Sequence, residues 1–388
     1  MNFKTAGESH GRGLVGIISD YPSGVHIKNS FIDSQLLRRQ RGYGRGGRMK
    51  IEKDTAEIIS GVRNGMTTGS PISFIIRNRD WENWLDLMTV FPDADKDKKE
   101  EKLLKPRPGH ADLAGLIKYR LDTIRDVIER SSARETATRV CVGSFAKSAL
   151  EMIGIKIFSY VTSIGKVYFN EYVNIRDEQI LKDIEESEVR CPCGSTAEKM
   201  MKEIDIAKES GNSIGGNFKV IITGVPLGLG SFTEWEQRLD ARLSYAVMAI
   251  PAIKAFEVGN GSESGAIYGL DFHDEIFYKK DKGFFRKTNR AGGIEGGMSN
   301  GEDIIIGAVM KPIPTTAIGM RTVDIKSKIE AVSLKERSDI CAVPSAAIVA
   351  ESVVSVEILK AVQKKFGSDN IYEITENIDN FKKYIKEI

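Results

Sequence analysis

The stretch VPSAAIVAESVVSVEILKAVQKKF, residues 343–366, decides the fold class. Pro344 stands at its start and Gly367 just past its end, residues that open and close a helix. Valine, isoleucine, leucine, alanine and serine fill most positions between them, so apolar side chains run around most of the circumference instead of along one stripe. A helix of that kind belongs inside a fold, with other layers packed around it.

Outward from this helix the pattern is mixed. Residues 133–153 read as a second long helix stopped by Gly154, and 196–210 as a third with Gly211 beyond it. Residues 235–248 and the shorter 32–40, stopped by Gly42, also read as helical. The small residues Ala133, Ala137, Gly143, Ala146 and Ala149 allow another element to approach the second helix closely. Residues 14–19, 72–76, 218–223 and 304–309 read as strands. Turns or irregular loops often join successive strands, so regular βαβ units are not the rule. The spacing predicts an α+β fold with helices packed on sheets.

Composition narrows the class. The chain has 388 residues, with 41% apolar and 28% charged, the balance of a globular protein. Lys+Arg number 56 against 54 Asp+Glu, a net charge of +2, which argues against a dedicated nucleic-acid binder. The apolar run at 304–310 is far shorter than the roughly 20 residues of a membrane span. The polar, Gly-rich start, residues 1–11, has no apolar signal core, and a cytoplasmic location is the expectation. Four cysteines, Cys141, Cys191, Cys193 and Cys341, are too few for a disulfide framework. Cys191-Pro192-Cys193 is spaced too tightly for a usual zinc pair and no second pair follows, so no metal is expected. The glycines, 37 in all, cluster at 42–47, 211–216, 259–269 and 292–301, as where backbone must turn tightly or approach a ligand.

Charge is concentrated at residues 38–48, RRQRGYGRGGR, with five arginines in eleven residues. Two guanidiniums about 8 Å apart repel by roughly 2 kcal/mol at an effective dielectric near 20. Such packing needs anions or solvent, and the interleaved glycines shorten the reach from backbone to ligand. Arginine also bonds carboxylate and phosphate in two-pronged fashion. Gly42, Gly44 and Gly47 match a dinucleotide fingerprint, but a helical segment precedes them, against the strand–turn–helix context. GESHG at 7–11 and GMSNG at 297–301 both match the serine-hydrolase elbow, which shows how undemanding that pattern is. Residues 93–102, DADKDKKEEK, read as a solvated loop or a mobile lid leading into RPGHAD at 107–112.

Imidazole exchanges a proton near neutral pH. His10 lies between Ser9 and Gly11, and His110 follows Arg107 and Gly109; both are candidates for proton transfer, whereas His26 and His273 read as structural. RSSARE at 130–135 is expected to open the second helix, where free N–H groups favour an anion. KPIPTT at 311–316 and Arg337-Ser338-Asp339 add further polar chemistry. Many cations and few nucleophiles point to electrostatic binding and proton transfer over covalent catalysis.

Taken together, these blocks resemble the chorismate synthase family over most of the chain. The resemblance is carried by GESHG at 7–11, RRQRGYGRGGRMKIE at 38–52, SGVRNGMTTGSPI at 60–72, RPGHAD at 107–112 and RSSARETATRV at 130–140. AGGIEGGMSNG at 291–301, KPIPTT at 311–316 and RSDICAVPSAA at 337–347 complete it. It implies a single domain over residues 1–388, a β-α-β sandwich with long helices between antiparallel sheets, and a homotetramer. It implies a lyase of the shikimate pathway and aromatic amino acid biosynthesis. That lyase converts 5-enolpyruvylshikimate-3-phosphate to chorismate and phosphate by anti-1,4-elimination, and it needs reduced FMN without net redox change. Arg39, Arg45, Arg48, Arg107, Arg134 and Arg337 would then hold substrate anions, with Ser9 beside them. His10 would guide the departing phosphate, His110 would serve the reduced flavin, and Asp339 would act near its N5. Arg130, Ser131, Ser132, Ala252, Gly296, Lys311, Pro312, Ile313, Pro314, Thr315 and Arg337 would line the flavin. Three positions depart from the family pattern: Asn212 stands where Asp is frequent, Ser345 where Ala is, and Met298 where Ile is. No flavin reductase domain is appended, so an external flavin-reducing system is expected, and direct binding of NADPH is left open. Two other readings remain at this stage: a nucleic-acid module built on the Arg–Gly stretch, and a serine hydrolase built on Ser9.

Overall fold

The helix Val343–Phe366 spans the residues its pattern marks, with Pro344 in the first turn and Gly367 as its C-cap, and 21 of its 24 residues are buried. The computed structural model describes residues 1–46, 53–91, 102–171, 173–280, 283–334 and 338–388.

Four strands, β1 (Asn2–Ala6), β2 (Gly13–Ser19), β3 (Glu57–Ser60) and β4 (Ile72–Arg77), form one antiparallel sheet in the order β1-β2-β4-β3. Five more form a second antiparallel sheet: β5 (Lys156–Ile164), β6 (Val167–Tyr168), β7 (Gly216–Thr223), β8 (Ile253–Val258) and β9 (Ile304–Met310), in the order β8-β9-β7-β5-β6. The principal helices are α1 (Asn29–Gln40), α2 (Asp112–Tyr119), α3 (Arg125–Ser131), α4 (Thr136–Met152), α5 (Glu178–Glu186), α6 (Gly194–Glu209), α7 (Leu239–Met248), α8 (Val343–Phe366) and α9 (Ile371–Glu387). Helix α8 packs on β5 and β7 of the second sheet and on α1, α4 and α7, while α4 packs on β1 and β2 of the first. The mixed helix and sheet content is as expected. Among the described residues no helix is long and apolar enough to cross a membrane.

The contact of α4 with α8 shows why small residues line the second helix. A Cβ on Gly143 would fall 2.4 Å from Cβ and 2.5 Å from Cα of Ser352, so only glycine lets the two backbones approach this closely. Ala137, Ala146 and Ala149 are fully buried along the same helix.

Two helix expectations need correction. Residues 130–135 do not open the second helix. Arg130 and Ser131 end α3, Ser132 is extended, and its hydroxyl accepts from the Arg134 amide to cap a 3-10 turn at Ala133–Glu135; α4 starts only at Thr136. Serine competes for backbone hydrogen bonds and so breaks helices readily. Residues 235–248 likewise divide at the extended Arg238, into a 3-10 turn, Trp235–Gln237, and α7.

Candidate active site

Residues 7–12 connect β1 to β2, two antiparallel neighbours. GESHG is therefore a strand-to-strand connection and not a strand–turn–helix elbow, which removes the hydrolase reading. Ser9 is buried, and its amide donates to the Glu129 carbonyl at 2.9 Å. The His10 amide donates to Glu129 Oε2 at 2.8 Å, and His10 Nδ1 lies 2.9 Å from the same oxygen. Trp84 stacks on the His10 ring with centroids 3.7 Å apart, and the Arg125 guanidinium lies over the other ring of this pair, 5.7 Å from the Trp84 centroid. Burial resists ionisation of Glu129, yet bonding and charge from His10, with Arg125, lower its pKa overall. An ionised carboxylate accepts only, so Nδ1 carries the proton and the ring is fixed in plane and tautomer.

His110 repeats this arrangement. Its Nδ1 lies 2.5 Å from Asp112 Oδ1, and Asp112 is fully buried at the N-terminus of α2. Arg107 donates to Asp112 through its amide at 3.0 Å and through Nε at 2.9 Å, and through Nη1 to Thr315 Oγ1 at 3.1 Å. Burial opposes the charge on Asp112, but hydrogen bonds from His110 and Arg107 hold its carboxyl well below the usual carboxylate range. With Nδ1–H committed to Asp112, Nε2 is the ring nitrogen that can accept, and Arg107 Nη2 lies 3.4 Å from it. Lys311 closes the unit by donating from Nζ to the Gly109 carbonyl at 2.9 Å. RPGHAD and KPIPTT, some 200 residues apart in sequence, thus meet.

A third cluster gathers two cations on one carboxylate. Arg134 donates to Asp54 through Nη1 at 2.5 Å and Nη2 at 2.7 Å, and Arg39 Nη1 lies 3.7 Å from the same carboxylate. Arg39 also donates to Thr136 Oγ1 and the Ala133 carbonyl. All three charged residues are buried, so these charges are held out of water. Ser345, one of the departures from the family pattern, donates to the Arg39 carbonyl at 2.8 Å and ties α8 to the end of α1.

Arg45 pairs with Asp339 at 2.9 Å, and Asp339 also accepts from the Gly46 amide at 2.6 Å. Arg130 donates to the carbonyls of Gly7 and Thr5, and Ser131 to that of Val127. Ala252 has φ +68° and accepts from the Lys311 amide at 2.9 Å, and Ser213 bonds the Ile313 carbonyl. Pro312 and Pro314 keep the 311–316 segment out of the sheet after β9. Arg38, despite its place in the arginine run, turns away to Glu185 and Glu351. Arg48, Arg337 and the charged stretch 93–101 lie outside the described residues. Two cavities, of about 80 and about 200 Å³, lie elsewhere, around Lys147.

Sequence reasoning missed the carboxylates that organise these cations and imidazoles: Asp54, Asp112 and Glu129. It also missed Trp84. Only Asp112, two residues from His110, had a local signal.

A mixed helix-and-sheet enzyme with carboxylate-backed imidazoles among buried arginines is the class defined by this fold and this arrangement. The family model described as chorismate synthase matches residues 1–363. A chorismate synthase of Sulfurihydrogenibium sp. (strain YO3AOP1) is 51% identical over 98% of both chains, and one of Desulforamulus reducens is 48% identical over 100% of both. A solved structure described as a crystal structure of chorismate synthase superposes with a TM-score of 0.79 at 37% identity, covering 100% of this chain and 98% of the other. The chain belongs to the chorismate synthase family, lyases that form chorismate in the shikimate pathway.

Proposed function

We propose that the chain converts 5-enolpyruvylshikimate-3-phosphate to chorismate and phosphate by anti-1,4-elimination, with reduced FMN bound and no net redox change. The observation that carries this reading is the buried arginine cluster of Arg39 and Arg134 on Asp54, together with two imidazoles each backed by an ionised carboxylate. A trianionic substrate would accept from such arginines, and each charge-assisted hydrogen bond contributes about 1.5–3 kcal/mol. Pairing with Asp54, Asp112 and Asp339 fixes the planes of Arg134, Arg107 and Arg45, so little rotamer freedom remains to be lost on binding. Arg48 and Arg337 complete the proposed substrate set.

The Gly-rich segment is compatible with a flavin. Gly296 has φ +58° and open space where a Cβ would stand, and the buried Asn300 Nδ2 has no partner among the described residues. Arg130, Ser131, Ser132, Ala252, Gly296, residues 311–315 and Arg337 would hold the group. Reduced FMN held there would supply electron density for the elimination. His10, held by Glu129, delivers a proton toward the departing phosphate. His110 holds a proton at Nε2 or releases it there, with Asp112 fixing the tautomer. Asp339 is the remaining acid–base group, and Ser9 lies beside the substrate.

The same reading takes residues 1–388 as one domain in which α4 and α8 lie between the two sheets, a β-α-β sandwich in the cytoplasm. Exposed Phe232, Trp235, Tyr245, Tyr268 and Leu270 support assembly as a homotetramer. Reduced FMN is supplied by an external flavin-reducing system. Anaerobic incubation with substrate and reduced FMN is expected to yield chorismate and phosphate in equal amounts. Absence of product with reduced flavin present rejects the proposal.

A further inference from the structure

Tyr43 is the one side chain between Arg41 and Arg45, with Gly42 before it and Gly44 after it. The two glycines stand at φ +127° and +82°, conformations rare for a residue with a side chain. Glycine backbone also loses more freedom on ordering than any other. A loop of this composition needs tethers if Arg45 is to be held in one place. Two of them are made by backbone: the Tyr43 amide donates to the Glu188 carbonyl at 2.8 Å, and the Gly44 carbonyl accepts from the Ile340 amide at 2.7 Å.

The third is made by side chains. The Tyr43 hydroxyl donates to Asp205 Oδ1 at 2.9 Å and lies 3.1 Å from Oδ2. Asp205 belongs to α6, and Gly44 lies flat on the preceding residue of that helix, since a Cβ there would fall 2.7 Å from Ile204 Cγ2. The bond to Asp205 raises the pKa of the Tyr43 phenol above its ordinary value, so the phenol keeps its proton and remains the donor. Just beyond Gly44 the loop reaches the candidate active site: Arg45 Nη1 lies 2.9 Å from Asp339 Oδ2, and the Gly46 amide donates to Asp339 Oδ1. Residues 43–46 are thus fixed to α6 at one end and hold Asp339 at the other.

We propose that Asp205 is a positioning residue: through Tyr43 it holds the glycine loop in the conformation that sets Arg45 and Asp339 side by side for the substrate. The proposal rests on the reading of Arg45 as a substrate-binding residue. A loop without its anchor must be ordered when substrate binds, and that cost is read as lost affinity. Once the loop is ordered the chemical step proceeds as before, so the loss falls on KM and not on kcat.

Two measurements on the full chain test this. Hydrogen exchange read by mass spectrometry follows the amides of residues 41–46 without reference to chorismate formation. Asp205→Ala and Tyr43→Phe should each speed their exchange about tenfold, the loss of one charge-assisted bond. Steady-state kinetics with reduced FMN and 5-enolpyruvylshikimate-3-phosphate should show KM about tenfold higher in both variants, with kcat within about twofold of the parent. The double variant should be no worse than either single one, because both remove the same bond. Asp205→Asn, whose amide oxygen still accepts from Tyr43, should recover most of the lost affinity. A merely structural role would instead lower kcat and the melting temperature and leave no such rescue. Parental exchange in Asp205→Ala, a parental KM, or a loss confined to kcat would each overturn the proposal. A parent that forms no chorismate would reject the function proposed above, and the exchange rates would then decide whether Asp205 holds the loop.

Discussion

Replacing Asp112 with Asn perturbs one atom and tests the His110 unit at two levels. The carboxylate is fully buried and accepts from the Arg107 amide and side chain and from His110. Asn keeps the shape but removes the charge that faces the buried Arg107. Breaking a buried pair from one side costs about 3–5 kcal/mol. Unfolding entropy scales with length, so for 388 residues each kelvin of melting temperature corresponds to about 0.8 kcal/mol. The variant should therefore melt about 4–6 °C lower in scanning calorimetry. Turnover should fall further, by about 10²- to 10⁴-fold, because the amide no longer fixes Nδ1–H and Nε2 is no longer held as the nitrogen that exchanges a proton. His110→Ala separates the effects: turnover falls comparably while the melting temperature stays near that of the parent. An Asp112→Asn enzyme with parental melting temperature and turnover would refute the reasoning.

Other expectations follow from the same geometry. Glu129→Gln should lower turnover by about 10²-fold or more and shift its pH profile, since His10 loses the carboxylate that holds its ring; an unchanged profile would remove Glu129 from the mechanism. Gly143→Ala should cost about 3 kcal/mol by forcing α4 off α8, read as a lower denaturant midpoint, and a parental midpoint would contradict the close approach. Stability should fall in acid. Burial opposes the charge on Glu185, but Arg38 and Arg190 lower its pKa from 4.5 to about 2, and Asp112, Glu129 and Glu351 are lowered as well. Their contribution is full above about 4.5 and is lost as pH falls toward 2; circular dichroism showing constant stability over that range would contradict these pairings.

How much could be read in advance depended on distance along the chain. Helix α8 was readable to its ends because Pro344, Gly367 and an all-round apolar surface are local signals. Helix α9 and strand β1 went unread: the first is rich in Glu, Asn and Lys, and the second is five residues of alternating exposure. The break at Ser132 depends on a single side-chain cap, which a helical pattern averages away. Cations and imidazoles stood out as clusters in the sequence. Their carboxylate partners did not, since Asp54 lies 80 residues from Arg134 and Glu129 lies 119 from His10. Arg38 and Arg39 are adjacent in sequence but serve opposite sides of α1, one at Glu351 and the other at Asp54, so a tally of arginines overstates the anion site.

Titrating the purified protein with oxidised FMN, in the presence and absence of 5-enolpyruvylshikimate-3-phosphate, bears most directly on the arginines and the Gly-rich segment sharing one ligand set. Flavin absorbance and fluorescence should report one site per chain, tightened when the phosphorylated substrate is present. Flavin binding of the same strength whether or not the substrate is there, or no binding at all, would contradict it.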